Sequence, residues 1–295
     1  MSVQGLVLSE DITSYNPWWE SKDNIFLDKK IEEVNRSKIK WDPRIRSTFN
    51  YNKDLVYTLR GPRQVGKTTL IKIQIKKFLE NGTNPWNIMY YAFDLYNSPV
   101  ALVDITKTYF NETAQFRSSD RCFLFFDEIS SMRDWSIGIK KLWDDNYLKN
   151  CTVVLTGSHS VDLQRSAERL PGRRGEIDEN DTYDKIFLPM KFSEYVSILD
   201  SDLKRIIDRD FQRESRTEIL YSLLDRKIDS RFQKPFAILP KLNRYLQNYL
   251  LTGGIPKVID EYLKNGKIGS SVYNTYFQSI IGDIHSLDAD ESTFK

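Results

Sequence analysis

Leu55-Val56-Tyr57-Thr58-Leu59-Arg60-Gly61-Pro62-Arg63-Gln64-Val65-Gly66-Lys67-Thr68-Thr69 is the stretch whose reading decides the fold. A short apolar run, Leu55–Leu59, leads into a loop with glycines at both ends. The loop opens onto a helical pattern over Lys67–Glu80, in which Leu70, Ile71, Ile73, Ile75 and Phe78 supply an apolar surface and Asn81-Gly82 supplies the stop. Gly61–Thr68 fits G-x-x-x-x-G-K-[ST] at every fixed position. A loop that wraps a phosphate must turn successive backbone N–H groups inward, and Gly61 and Gly66 permit the dihedrals and the close approach. The helix that follows adds the positive end of its dipole. Pro62, Arg63, Gln64 and Val65 are expected to complete the cradle, with Thr69 just beyond it. Strand before and helix after are what separate this pattern from a glycine-rich turn carrying a surface lysine.

Lys67 would bring a mobile charge to the β- and γ-phosphates, and Thr68 a hydroxyl ligand for Mg²⁺. Such a cradle needs an acid nearby. Cys122-Phe123-Leu124-Phe125-Phe126-Asp127-Glu128 is an apolar run, as expected of a strand buried on both faces, ending in two carboxylates. In a parallel sheet this strand end and the cradle share the carboxyl edge, where ligands bind. Asp127 is then the expected metal acid and Glu128 the acid that handles the attacking water. Capping of a following helix is the plainer role for the same pair. Ile88–Phe93 lies in sequence between cradle and acids, and is read as the additional strand of the catalytic-glutamate class of nucleotide hydrolases.

Thr152-Val153-Val154-Leu155-Thr156-Gly157-Ser158 is another apolar run ending in small polar residues, the expected site of a γ-phosphate sensor: Ser158 first, Thr156 second. Arg169, Arg173 and Arg174 cluster in one loop, and Arg173 is the best candidate to stabilise developing charge, in cis or from a neighbouring subunit. A solvated basic loop balanced by the acids of 176–181 is the alternative. Ile186–Leu188 is expected to be the last strand.

The alternation of strands and helices over 51–190 predicts an α/β core, a three-layer parallel sheet of the P-loop nucleotide-hydrolase kind. Residues 1–50, with Pro17-Trp18-Trp19 and Trp41-Asp42-Pro43 as punctuation, read as an N-terminal arm covering a sheet edge. Residues 191–295 read as a helical lid or C-terminal region. The chain has 295 residues, 40% of them hydrophobic, enough for a sizeable core. Lys and Arg number 43 against 41 Asp and Glu. This near-neutral balance lends no support to DNA as a partner, although local basic stripes leave it open. Two cysteines, Cys122 and Cys151, both in apolar runs, read as buried thiols rather than a disulfide framework. With no evident signal peptide and no spanning stretch, a cytoplasmic location without membrane contact is expected.

Several further segments carry a resemblance. Gly61–Thr69, Asp127-Glu128-Ile129 with Asp134-Trp135, Leu155-Thr156-Gly157-Ser158, Leu170-Pro171-Gly172-Arg173, Leu188–Tyr195 and Tyr249–Pro256 occur in an order that resembles the prokaryotic AAA-type P-loop ATPases followed by a domain of unknown function. The resemblance runs from about Leu55 to about Asp283. It implies Lys67, Asp127 and Glu128 as the P-loop lysine, metal acid and catalytic glutamate, and Arg173 as the arginine of the L-x-G-R loop. It also implies ATP as nucleotide, in keeping with the lack of an N-K-x-D guanine-reading motif after the sensor strand. Similar proteins continue well past Asp283, often with a winged-helix-like or nuclease-like tail, so a truncated form, a split gene or a short member are the alternatives here, and no DNA-linked function resting on that tail is carried over. The expected activity is Mg-dependent ATP hydrolysis coupled to conformational change, acting with a homo-oligomeric neighbour or a protein client. A slow nucleotide-gated switch recruiting a protein or DNA partner is the alternative, and a small-molecule phosphotransferase fits Glu128 less well.

Overall fold

The computed structural model describes residues 11–157, 160–210 and 233–278, together with positions 217, 218, 221, 224, 225 and 281. The chain forms two compact units. One contains residues 1–36, 42–188 and 277–295, the other residues 37–41 and 189–276.

The first unit is built on five parallel strands: β1 (Leu55–Arg60), β2 (Ile88–Ala92), β3 (Cys122–Asp127), β4 (Cys151–Gly157) and β5 (Asp184–Ile186). Their order across the sheet is β2-β3-β4-β1-β5. Every residue of β3 and β4 is buried, as unbroken apolar runs require of strands covered on both faces. Helices of this unit include α1 (Lys29–Arg36), α2 (Lys67–Glu80), α3 (Pro99–Glu112), α4 (Trp135–Asp144) and α5 (Ser160–Ala167).

Two expectations are corrected here. The strand lying between the cradle strand β1 and the acidic strand β3 is β4, whereas β2, the Ile88–Phe93 run, is the far edge of the sheet. The last strand is Asp184–Ile186, not Ile186–Leu188. Its polar start is satisfied by pairing: half-buried Asp184 accepts from Thr58 and faces Arg174 at 3.3 Å, and buried Lys185 pairs with Asp181. An apolar-run criterion overlooks a strand solvated by such partners.

The N-terminal arm closes the exposed edge of β2. The Tyr90 N–H donates to Asn16 Oδ1 at 2.7 Å, and Asn16 Nδ2 donates to the Tyr90 carbonyl at 2.9 Å, so one side-chain amide replaces a missing neighbouring strand. The indole N–H groups of Trp18 and Trp19 both donate to the Ile88 carbonyl, at 3.1 and 2.9 Å.

The second unit is helical: α6 (Phe192–Leu199), α7 (Ser201–Asp210), α8 (Gln233–Thr252) and α9 (Pro256–Asn265). Met190, Tyr195, Val196, Leu203 and Ile259 form its core with Ile39. Gly253 and Gly254, at φ +62° and +69°, make the tight turn between α8 and α9, and a Cβ on Gly254 would lie 2.4 Å from the Met190 carbonyl oxygen.

Candidate nucleotide site

The register brings three loops to one end of the sheet. Arg60, the last residue of β1, lies beside Gly157, the last of β4, and Leu59 lies beside Thr156. On β3, Phe126 lies beside Leu155, so Asp127 emerges level with Thr156.

The cradle then turns on its own residues. Gly61 passes so close to β5's exit that a Cβ there would sit 2.1 Å from the Phe187 carbonyl oxygen. Pro62, Arg63 and Gln64 are exposed, while Val65 is buried and anchors the loop. Gln64 and Gly66 take positive φ, +60° and +105°, as a loop folding its amides inward demands. Gly66 caps α2, whose first residue is Lys67. The buried Lys67 ammonium donates to the loop's own carbonyls, Gly61 at 2.9 Å and Pro62 at 3.0 Å.

Asp127 is the hub of the site. Thr68 Oγ1 donates to Asp127 Oδ2 at 2.6 Å, and the Tyr90 hydroxyl donates to the same oxygen at 2.9 Å. Asp127 Oδ1 accepts from the Thr156 hydroxyl and from the Glu128 N–H, the latter at 3.2 Å. Four donors thus hold a carboxylate that is 2% exposed. Glu128, half-buried, adopts the left-handed conformation at φ +51° and starts the tight turn Ile129–Ser131. Burial, with the adjacent Asp127 charge, pushes the Tyr90 phenol far up, so its hydroxyl stays a donor.

Lys67, Thr68, Asp127, Glu128 and Thr156 are therefore brought together. Ser158 lies outside the described residues. Arg173 is not brought to the cradle of its own chain. Its neighbour Arg174 accepts from the Val56 N–H through its carbonyl at 3.1 Å, near the amino end of β1. At about 3.3 Å per residue, that is roughly 16 Å of strand from Gly61. Arg173 itself is bound to Asp144 at 2.7 Å and Arg169 to Asp134 at 3.2 Å. Arg174 is buried on β1, with Nε donating to the Val56 carbonyl at 3.1 Å. Tyr90 was not singled out by the sequence. Its strand carries two adjacent tyrosines, Tyr90 and Tyr91, and the sequence does not say which of them faces the acidic strand end.

A parallel sheet with a glycine-flanked loop opening a helix, and an acidic strand end hydrogen-bonded to that helix's first threonine, defines a P-loop nucleotide-binding domain. Residues 53–196 match the family model described as an AAA domain. The chain is similar to the uncharacterized protein MJ1637 of Methanocaldococcus jannaschii, with 26% identity over 215 residues, which are 72% of this chain and 40% of the relative. It is also similar to MJ1544 of the same organism, with 23% identity over 272 residues, 90% of this chain and 48% of the relative. The chain thus spans less than half the length of either curated relative. Among solved structures, the Walker-type ATPase paby2304 of Pyrococcus abyssi aligns with a TM-score of 0.42 and 17% identity, covering 90% of this chain and 75% of that one. Among the described residues no helix is long and apolar enough to cross a membrane.

Proposed function

We propose that this chain binds Mg–ATP and hydrolyses the β–γ phosphoanhydride, driving a conformational change. The observation that carries this reading is the 2.6 Å hydrogen bond from Thr68 to Asp127, with Glu128 the next residue. The donor set fits a P-loop magnesium, which needs one hydroxyl and one nearby carboxylate because phosphate oxygens and water complete its shell. Among the described residues, no cluster of three or more His, Cys, Asp or Glu could hold a metal on its own. The cation, when bound, withdraws charge from the β- and γ-oxygens.

The protein's own residues would do the rest. The backbone N–H groups of 63–66 bind the phosphates, and Lys67 exchanges its two loop carbonyls for the β- and γ-oxygens. Thr68 and Asp127 fix the cation's place. Glu128 accepts the proton of a water whose oxygen bonds to the γ-phosphorus as the bond to ADP breaks. Thr156 holds both Asp127 and, at 3.3 Å, the Glu128 N–H, and so orients the acidic pair.

Glu128→Gln is expected to bind Mg–ATP as the parent does while turnover falls by about 100-fold or more. Persisting turnover removes Glu128 from the water-handling role. Lys67→Ala is expected to abolish magnesium-dependent ATP affinity, and unchanged affinity overturns the whole reading. Arg173, placed away from its own cradle, acts in this proposal on the nucleotide of a neighbouring copy in a homo-oligomer. Mixing Arg173→Ala with Lys67→Ala chains should then restore part of the turnover that each lacks alone. Mixtures no more active than either variant would exclude that role.

A further inference from the structure

Tyr90 does more than fill the core. Phenylalanine would fill nearly the same volume, and the extra hydroxyl reaches Asp127 Oδ2 at 2.9 Å, the oxygen that Thr68 also holds. Lys72, one helical turn beyond the cradle, lies on the face of the Tyr90 ring with Nζ 3.7 Å from its centroid. That ammonium is buried and pairs with Asp28 Oδ2 at 3.2 Å, at side-chain exposures of 8% and 15%. The other oxygen of Asp28 accepts from the Lys30 N–H at the start of α1 at 2.8 Å. Asn16 clamps the Tyr90 main chain from the same arm. A buried charge this close to a phenol face is costly to hold in place, and packing alone does not call for it. Its chemical effect is to draw electron density from the ring and make the hydroxyl a stronger donor.

We propose that Tyr90 is a positioning residue for the metal acid: backed by Lys72 and Asp28, its hydroxyl fixes Asp127 Oδ2 against Thr68 so that the pair is preset for a hydrated magnesium ion. This rests on Asp127 serving a Mg–ATP site. Without the Tyr90 hydroxyl, Oδ2 keeps one donor instead of two. The carboxylate then samples other orientations, and the free energy of fixing it falls on cation binding.

The test uses the full chain and ATP, measuring affinity in EDTA and against a magnesium titration, with thermal unfolding as a check on folding. Tyr90→Phe should match the parent in EDTA, while its half-saturating magnesium concentration rises about tenfold, the scale of one hydrogen bond to a charged group. An unchanged magnesium requirement overturns the proposal. So does an equal loss of affinity with and without magnesium, which would mark a merely structural residue. Should Tyr90→Phe not fold, Lys72→Met carries the test, since it leaves the hydroxyl in place. A rise of roughly threefold in the magnesium requirement, on the scale of a partly desolvated cation–π contact, supports the proposal, and no rise defeats it. A parent chain without magnesium-dependent ATP binding defeats the Mg–ATP reading itself, a result distinct from failure of the variants.

Discussion

Gly157 shows what a single missing side chain does at this site. It closes β4 where the turn after Glu128 comes nearest, and a Cβ there would lie 2.3 Å from Ser130 Oγ and 2.5 Å from Ser130 Cβ. Both contacts are far inside van der Waals distance, and the second is to an atom with no rotamer to escape by. Gly157→Ala must therefore push the 129–131 turn, and with it Glu128, away from β4. The expected cost is about 1–3 kcal/mol of stability, with turnover falling further than ATP affinity. Urea unfolding and steady-state ATP hydrolysis on the same preparation would check this, and Gly172→Ala is the control. Gly172 has φ +70° but nothing within 4 Å of an added Cβ, so only backbone strain of about 1–2 kcal/mol is expected there, with activity retained. The motif around Gly157 was legible as a strand ending in small polar residues. The reason for the glycine was not, because its neighbour Ser130 comes from another loop.

At the scale of elements, the cradle, α2 and the acidic strand could be read from the chain because each is local: a motif, a periodic helix and an unbroken apolar run. The order of strands depends on pairings distant in sequence. Hence β4 rather than β2 proved to be the inserted strand, and an arm expected to cover an edge could not be matched to a particular one. The arm's attachment makes a prediction of its own. Asn16 is fully buried, and its amide is the pairing partner of the Tyr90 N–H and carbonyl. Asn16→Ala strands both groups at an edge strand. The expected loss is about 2–4 kcal/mol, one desolvation penalty for each group, together with concentration-dependent self-association through the bared edge of β2. Chemical denaturation and light scattering over a concentration series would reveal both, and a variant as stable and as monodisperse as the parent would show that water can replace the amide.

Across the whole molecule, the nearly balanced charge of 43 basic and 41 acidic residues hides a common arrangement of buried or half-buried carboxylates in both units. In the first unit, burial pushes the Asp181 carboxyl up, but hydrogen bonds from Lys185 and Tyr57 outweigh it and leave the group below its ordinary value of 3.8. Asp184 is likewise depressed, by Thr58 and Arg174 acting against burial. In the second unit, the hydrogen bond from Lys241 holds Asp200 down, and Lys264, the Lys38 N–H and Ser37 outweigh burial at Asp260. A carboxylate with a depressed folded value binds its proton less readily than the unfolded chain does. Its contribution to stability is complete above the ordinary value and is lost as pH falls below 3.8 through the folded value. Both units should therefore hold a level melting temperature from neutrality down to about pH 5 and lose stability steeply below about pH 4. Asp181→Asn separates this cause from general acid repulsion. Lys185 is 6% exposed and Asp181 9%, so removing the carboxylate leaves a buried ammonium without its ion-pair partner, at a cost of about 3 kcal/mol at neutral pH. The variant should also have one fewer proton to take up on acid unfolding, so its stability declines less steeply below pH 4 and its curve converges on that of the parent. Melting curves of both chains across this range decide the matter: parallel curves separated by a constant offset would show that Asp181 acts through packing and not through its charge.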